Sequence, residues 1–212
     1  MEARIDGRLR RGDQTRRAVL KHAVDIASVD GLEALSIGRL AKDLEISKSG
    51  LFAHFGSKVE LQLATIRAAR RIYAVAVVEP ALAVPPGLGR LWALSDSWLD
   101  YSKRRVFPGG CFFAKATHEY GARPGQVHDL LAAANREWLD LIEQTIEEAG
   151  ELGELEADPS QLAFELNAFY DSANMASLLR DNDDAVYEQA RHSIRVRLEA
   201  AAKAGTPLPW IG

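Results

Sequence analysis

Ser49, Gly50, Ala53 and His54 fall on one face of a short predicted helix. All four are small or polar, so a second surface can approach that face closely, and the chemistry on offer is recognition. Other reactive sets point nowhere as clearly. Cys111, His118 and His128 have six and nine residues between them, unlike the short-spaced pairs of structural zinc sites, so no metal is expected. Cys111 is the single cysteine, without an adjacent base or a resolving partner, which argues against a redox sensor. The chain lacks G-x-S-x-G, H-E-x-x-H, a Walker loop and a Gly-rich dinucleotide turn, so no enzyme activity and no cofactor are expected.

The elements that must carry the recognition face can be read from local signals. Asp13 is a candidate cap for a first helix over 14–30, with Val19, Ala23, Ile26 and Ala27 as its stripe and Gly31 to end it. Ser36 caps a second helix in which Ile37, Leu40, Ala41 and Leu44 repeat at helical spacing. Glu45-Ile46-Ser47 forms the turn, and Ser47 caps the third helix, whose Leu51 and Phe55 face inward. Ser57-Lys58-Val59-Glu60 has capping-box form and opens a long helix to about Val78. Two short helices joined by a tight turn are a device for placing a helix in the DNA major groove.

The block from Thr15 to Leu61 resembles the tetracycline-repressor (TetR) family of bacterial transcription factors. The likeness is densest in ISKSGLFAHFGSKVEL, Ile46–Leu61, against a family pattern close to V-S-x-G-x-L-Y-x-H-F-x-S-K-x-x-L. The resemblance implies an all-α fold: an N-terminal three-helix helix-turn-helix domain joined by a long helix to a C-terminal helical ligand-binding and dimerisation domain. It implies a ligand-responsive repressor that binds a palindromic operator in double-stranded DNA as a homodimer and is released by a small-molecule effector. Carried over by position, Lys48, Ser49 and Gly50 begin the recognition helix nearest the bases, and His54 supports them. Ser36 and Lys58 start helices that touch phosphates, although capping alone explains Ser36, and solvation of a helix start is a second reading of Lys58. Phe52 stands where the family usually has Tyr, so a phosphate-bonding hydroxyl is missing; Phe52 either packs inward or touches sugars and thymine methyls. Gly50 also departs from the family, which often has a side chain there. A ligand-binding or dimerisation module without operator recognition is the alternative.

Charge agrees with that reading. Residues 1–75 carry a net charge of +5 and residues 76–212 a net charge of −9, a basic end on an acidic body, as phosphate binding at one end requires. The arm from Arg4 to Arg17 is expected to be irregular, either tracking phosphates or simply solvated. Glu79, Pro80, Pro85 and Pro86 interrupt the only candidate membrane span, and the charged N-terminus lacks a signal-peptide core, so a cytoplasmic protein without a membrane partner is expected.

The expected divisions are 1–57 for the arm and DNA-binding domain, 58–204 for the ligand-binding and dimerisation domain with 58–78 as connecting helix, and 205–212 as tail. A loop is expected over 79–89, and helices over about 90–104, 111–120, 124–150, 159–180 and 184–202. Thirteen of the 16 aromatic residues lie beyond residue 75, so Trp92, Trp98, Tyr101, Phe112, Phe113 and Trp138 are candidate pocket walls, with core packing as the competing role of each. Asn167, Asp171 and Asn174 form a polar stripe at i, i+4 and i+7 that lines either a ligand cavity, a dimer seam or solvent. The resemblance assigns dimerisation to the last two helices, with Phe169, Ala173, Tyr187, Ala190, Ile194 and Leu198 as candidate contacts. Trp210 in the tail is placed to pack on a neighbouring subunit.

Overall fold

The computed structural model describes residues 2–180 and 183–210, with side chains from Gln14 onward. The chain forms two compact units, one of residues 1–71 with 107–131 and one of 72–106 with 132–212. The first unit thus runs past residue 57 to residue 71 and also takes in the segment 107–131.

In the first unit α1 spans Glu2–Asp30. Asp13 therefore lies inside the helix rather than capping it, and the arm expected to be irregular is helical. The side chains of the arm up to residue 13, and with them its phosphate-tracking role, lie outside the described residues. Gly31, at φ +93°, ends α1, its N–H bonded to the Ala27 carbonyl at 3.0 Å. The Ser36 hydroxyl caps α2 (Ile37–Asp43) by accepting from the Arg39 N–H at 3.1 Å. The Ser47 hydroxyl caps α3 (Lys48–Phe55) by accepting from the Gly50 N–H at 3.2 Å. The Ser57 hydroxyl accepts from the Glu60 N–H at 3.1 Å at the start of α4 (Lys58–Tyr73), while the Ser57 N–H goes to the Phe55 carbonyl. One limb of the expected capping box is thus formed. Leu40, Leu51, Phe55, Leu61 and Ile66 are buried with Val19, Ala23 and Val24 of α1, so the apolar stripes read from the sequence form the core of this unit.

The helix begun by α4 does not stop at residue 78. It passes through a π turn, Ala74–Val78, into α5 (Glu79–Leu82). The Glu79 N–H bonds five residues back to the Ala74 carbonyl, and this wider turn lets the helix absorb the missing N–H of Pro80. The expected loop is accordingly shorter and begins after Leu82.

α6 (Leu88–Lys103), α7 (Phe112–Tyr120), α8 (Gln126–Glu151), α9 (Pro159–Leu179) and α10 (Ala185–Ala201) complete the chain. Asp158 caps α9, accepting from the Gln161 N–H at 2.7 Å, with Pro159 in its first turn. Among the described residues the regular structure is helical, with one isolated antiparallel bridge between Leu155 and Ala202. None of the described helices is long and apolar enough to cross a membrane.

α7 docks in the first unit by polar contacts that the sequence reading missed. The Gly109 N–H donates to the Ser28 hydroxyl at 3.1 Å. The Glu119 carboxylate accepts from the Leu32 and Glu33 N–H groups at 2.6 and 2.9 Å. These two donors lie just beyond the end of α1, and the half-buried Glu119 carboxylate satisfies them.

Candidate functional site

In the first unit α3 presents a mostly exposed face. Ser49, Phe52, Ala53 and Gly56 recur at helical spacing and are all exposed, whereas Leu51 and Phe55 are buried. Phe52 keeps 57% of its surface exposed, so of its two expected roles the inward packing one is not realised. Gly50 is half-buried in the cap ring, where a Cβ would stand 3.0 Å from the Ser47 hydroxyl.

Two basic residues are engaged inside the unit. Arg16 donates from Nη1 to the His54 carbonyl at 2.6 Å, its guanidinium 4.7 Å above the Phe55 ring. A cation on the last carbonyls of α3 complements the negative end of that helix, so Arg16 fixes α3 against α1. His54 is half-buried. Lys58 donates from Nζ to the Glu33 carbonyl at 2.7 Å and pairs with the Glu33 carboxylate at 2.5 Å. Its expected phosphate contact therefore competes with an internal partner. Ser36 and Lys48 are exposed, and the Lys48 side chain runs back over Gly38 of α2.

Glu33 is also the acceptor for the Tyr120 hydroxyl at 2.8 Å, and Tyr120 in turn accepts from Gln62 Nε2 at 2.7 Å. Hydrogen bonds from Lys58 and then Tyr120 hold the Glu33 carboxyl below its ordinary value. Burial, reinforced by the Glu33 carboxylate, pushes the Tyr120 phenol up to about 12.

The second unit holds a closed circuit of aromatic rings. Tyr73 meets Tyr101 edge-on at 5.3 Å, Tyr101 meets Trp98 at 6.0 Å, and Trp98 stacks on Tyr170 at 5.0 Å and 20°. Tyr170 meets Trp138 at 6.1 Å, and Trp138 closes on Tyr73 at 5.4 Å. Such offset and edge-to-face pairs suit the ring quadrupoles. Of the expected walls, Trp98, Tyr101 and Trp138 are here, and Tyr73 and Tyr170 are additions. Trp92 is held elsewhere, edge-on to Trp210 at 5.1 Å and under the Arg195 guanidinium at 5.0 Å. Trp210 thus packs within its own chain, donating its indole N–H to Glu199 at 2.9 Å. Phe112 and Phe113 belong to the first unit, where Phe112 is buried against Phe107 and Phe113 at 5.7 and 5.3 Å. They are not gathered with the other walls.

Polar groups meet this circuit at Ser95 and Asn167, and a separate polar network gathers around Asn174 and Tyr187. The Ser95 and Tyr170 hydroxyls share a hydrogen bond at 2.7 Å. The Trp138 indole N–H donates to Asn167 Oδ1 at 3.0 Å, and Asn167 Nδ2 donates to Asp171 at 3.2 Å. Asn174 is only 5% exposed and accepts from the Ser102 hydroxyl at 3.1 Å. The Tyr187 hydroxyl lies 2.9 Å from both Ser102 and Ser177, and Arg105 donates to Tyr187 and Ser177 at 3.1 and 3.0 Å. The stripe Asn167–Asp171–Asn174 therefore has no single environment. α9 buries a wide sector that includes Leu162, Leu166, Tyr170 and Ala173, and Asn174 falls at its margin while Asp171 reaches water. Serines at 95 and 102, within the stripe Leu91, Trp98 and Leu99, were the available sequence signal for these polar contacts.

The expected dimer contacts fall in two environments within the protomer. Ala173, Tyr187, Ala190, Ile194 and Leu198 are buried inside the protomer, because they form the stripe by which α9 and α10 pack within the second unit. Only Phe169 remains half-exposed, lining an open groove with His192, Ser193, Val196, Arg197 and Ala200. The exposed apolar side chains on these helices are Phe164, Met175, Leu178, Leu179 and Val196.

Comparison with known proteins assigns this architecture. Residues 19–65 match the family model of bacterial regulatory proteins, tetR family, and residues 87–194 match the tetracyclin repressor-like C-terminal domain. A TetR transcriptional regulator from Chloroflexus aurantiacus superposes with a TM-score of 0.80 at 23% identity, covering 91% of this chain and 98% of its own. A TetR-family regulator from Streptomyces coelicolor gives 0.76 at 25% identity, covering 91% and 97%. AibR, solved in complex with isovaleryl coenzyme A and operator DNA, gives 0.68 at 19% identity, covering 84% and 95%. No curated protein matches the sequence significantly. The chain carries the helix-turn-helix and C-terminal domains of a transcription regulator, and it belongs to the TetR family.

Proposed function

We propose that the protein is a ligand-responsive repressor that binds a palindromic DNA operator as a homodimer and leaves it when a small-molecule effector binds the second unit. The observation that carries the reading is α3. Its Ser47-capped start exposes Lys48 and Ser49, and Arg16 and the buried Leu51 and Phe55 hold it rigidly. A rigid exposed helix after a tight turn fits the major groove. One such helix makes too few contacts for operator-level selectivity, so two copies over two half-sites are required. Ser36, Lys48, Ser49, Gly50, Phe52 and His54 form the DNA-facing set, with Lys58 available to phosphate only by leaving Glu33.

The aromatic circuit of Tyr73, Trp98, Tyr101, Trp138 and Tyr170 suits an apolar or aromatic effector, with Asn167 and Asn174 as polar handles. AibR, solved in complex with isovaleryl coenzyme A and operator DNA, supports a fold that takes both a small-molecule ligand and an operator. Such an effector acts by binding one of two conformations better than the other; tight binding to both would release nothing. The Lys58–Glu33 pair and the absence of a hydroxyl at Phe52 favour a second reading, a ligand-binding module whose helix-turn-helix reads no operator.

Footprinting of the full chain on its own promoter region, at two salt concentrations, separates the readings. A protected palindrome whose occupancy falls as salt rises is the expected result. Salt-sensitive retention without a protected sequence, there or in selected random duplexes, selects the second reading.

A further inference from the structure

We infer that the operator is read chiefly through thymine methyl groups, with Phe52 and Ala53 as the residues that set its sequence. This rests on the operator-binding reading above and specifies the base chemistry of that same face. Beyond the exposed Lys48 at its start, the exposed positions of α3 and its C-cap are Ser49, Phe52, Ala53 and Gly56. They offer one hydroxyl, one phenyl ring, one methyl group and bare backbone. Bidentate reading of guanine needs Arg or Lys, and bidentate reading of adenine needs Asn or Gln. None of these stands at those four positions.

The basic groups of α3 are directed elsewhere. A Cβ placed on Gly38 would lie 3.8 Å from Lys48 Cε, 3.9 Å from Lys48 Nζ and 4.0 Å from the Ser36 hydroxyl. The Lys48 ammonium thus lies over α2 near Ser36, on the side where helix-turn-helix proteins meet the phosphate backbone. The His54 ring is half-buried at 6.3 Å from Phe55. What remains to meet base edges is largely apolar. The thymine 5-methyl is the one apolar group in the major groove, and Ala and Phe are suited to contact it. Phe52, at 57% exposed, presents a ring face that such a contact would cover.

The test begins with selection of duplexes from a random pool by the full chain. Each thymine of the enriched half-site is then replaced by deoxyuridine, which removes only the methyl. In parallel, each guanine is replaced by 7-deazaguanine, which removes only the N7 acceptor. The expected result is an enriched thymine at a fixed half-site position, with about fourfold weaker binding per methyl removed there. Phe52→Ala, still folded by circular dichroism, then binds the methylated and demethylated duplexes equally. Lys48→Ala weakens binding to operator and random DNA alike and flattens the salt dependence. Indifference to deoxyuridine combined with sensitivity to 7-deazaguanine overturns the inference and returns specificity to Lys48, leaving operator binding intact. A pool from which no sequence is enriched overturns both the inference and the operator reading, and is distinct because no duplex then exists to substitute.

Discussion

The Tyr120 hydroxyl donates to the Glu33 carboxylate at 2.8 Å, joining the last turn of α7 to the segment between α1 and α2. The same hydroxyl accepts from Gln62 of α4, whose Nε2 also reaches the Leu32 carbonyl at 2.9 Å. Three stretches of the first unit, distant in sequence, thus meet at one phenol. A buried bond of this kind costs more to break than to omit, because its partners keep their need for a hydrogen bond.

Tyr120→Phe removes that hydroxyl while keeping the ring. Gln62 retains Leu32, and Glu33 retains Lys58, so both partners lose one bond of two. The expected loss is about 1–2 kcal/mol of unfolding free energy, read by urea denaturation. A loss within error would mean that water replaces the phenol without cost.

The pH dependence has a defined sign. Tyr120 titrates near 12 in the folded chain against 10.0 for the ordinary phenol. A raised value contributes stability that is fully present below pH 10 and is lost as pH rises from 10 to 12. Glu33 is depressed, so its contribution is present above the ordinary carboxyl value and is lost as pH falls through the lowered one. The melting-temperature gap between wild type and Tyr120→Phe should therefore narrow over the alkaline range. Glu33→Gln should instead flatten the acid limb. A gap that stays constant to pH 12 would contradict the Tyr120 assignment.

Gly109 tests the docking of α7 by sterics alone. A Cβ there would stand 1.9 Å from the Ser28 carbonyl oxygen, on backbone that side-chain rotation cannot move. Gly109→Ala should cost about 1–3 kcal/mol as overpacking, or more if the Gly109 N–H also leaves the Ser28 hydroxyl. Thermal melts of this variant beside Gly89→Ala, where a Cβ would meet only Val84 Cγ1 at ordinary contact distance, would show whether the cost arises at the close approach or from glycine replacement in general.

Periodicity and capping made the helix-turn-helix legible. Ser36, Ser47 and Leu51 act through neighbours a few residues away, so sequence spacing carries their roles. Glu119 and Tyr120 act on residues some 87 positions distant, and nothing local marks a carboxylate as the acceptor for a distant loop. Proline chemistry misled at Pro80, because a π turn just before it satisfies a constraint that normally ends a helix. In α10 the same apolar stripe would suit an interface or an intramolecular core; the sequence shows that Ile194 and Leu198 share a face, not what covers it. Burial answers in favour of the core.

Asn174→Leu now carries two expectations. The substitution deprives the Ser102 hydroxyl of its acceptor and sets an isobutyl group beside the Tyr187–Ser177–Arg105 network. Stability should fall by about 1–3 kcal/mol, and the effector response should shift because a polar handle is gone. Titration of effector against operator-bound protein, at a temperature where the variant is fully folded, separates these effects. An unchanged dose–response would remove Asn174 from the ligand site while leaving it in the network.

The interface prediction follows from where apolar surface remains. Phe164, Met175 and Leu179 are 70%, 51% and 80% exposed on one face of α9, and Val196 is 51% exposed on α10 beside the Phe169 groove. Large apolar side chains left exposed on two packed helices point to an association surface there. In a two-fold dimer the same patch meets itself, so each introduced charge faces a like charge across the axis. Met175→Arg combined with Val196→Arg should yield a folded monomer by sedimentation velocity, and operator affinity should fall with it. Tyr187→Ala should behave differently, losing about 3–5 kcal/mol of stability because the ring is internal. A double arginine variant that stays dimeric would move the interface off α9 and α10. Dissociation by Tyr187→Ala without loss of stability would place that ring at the interface after all.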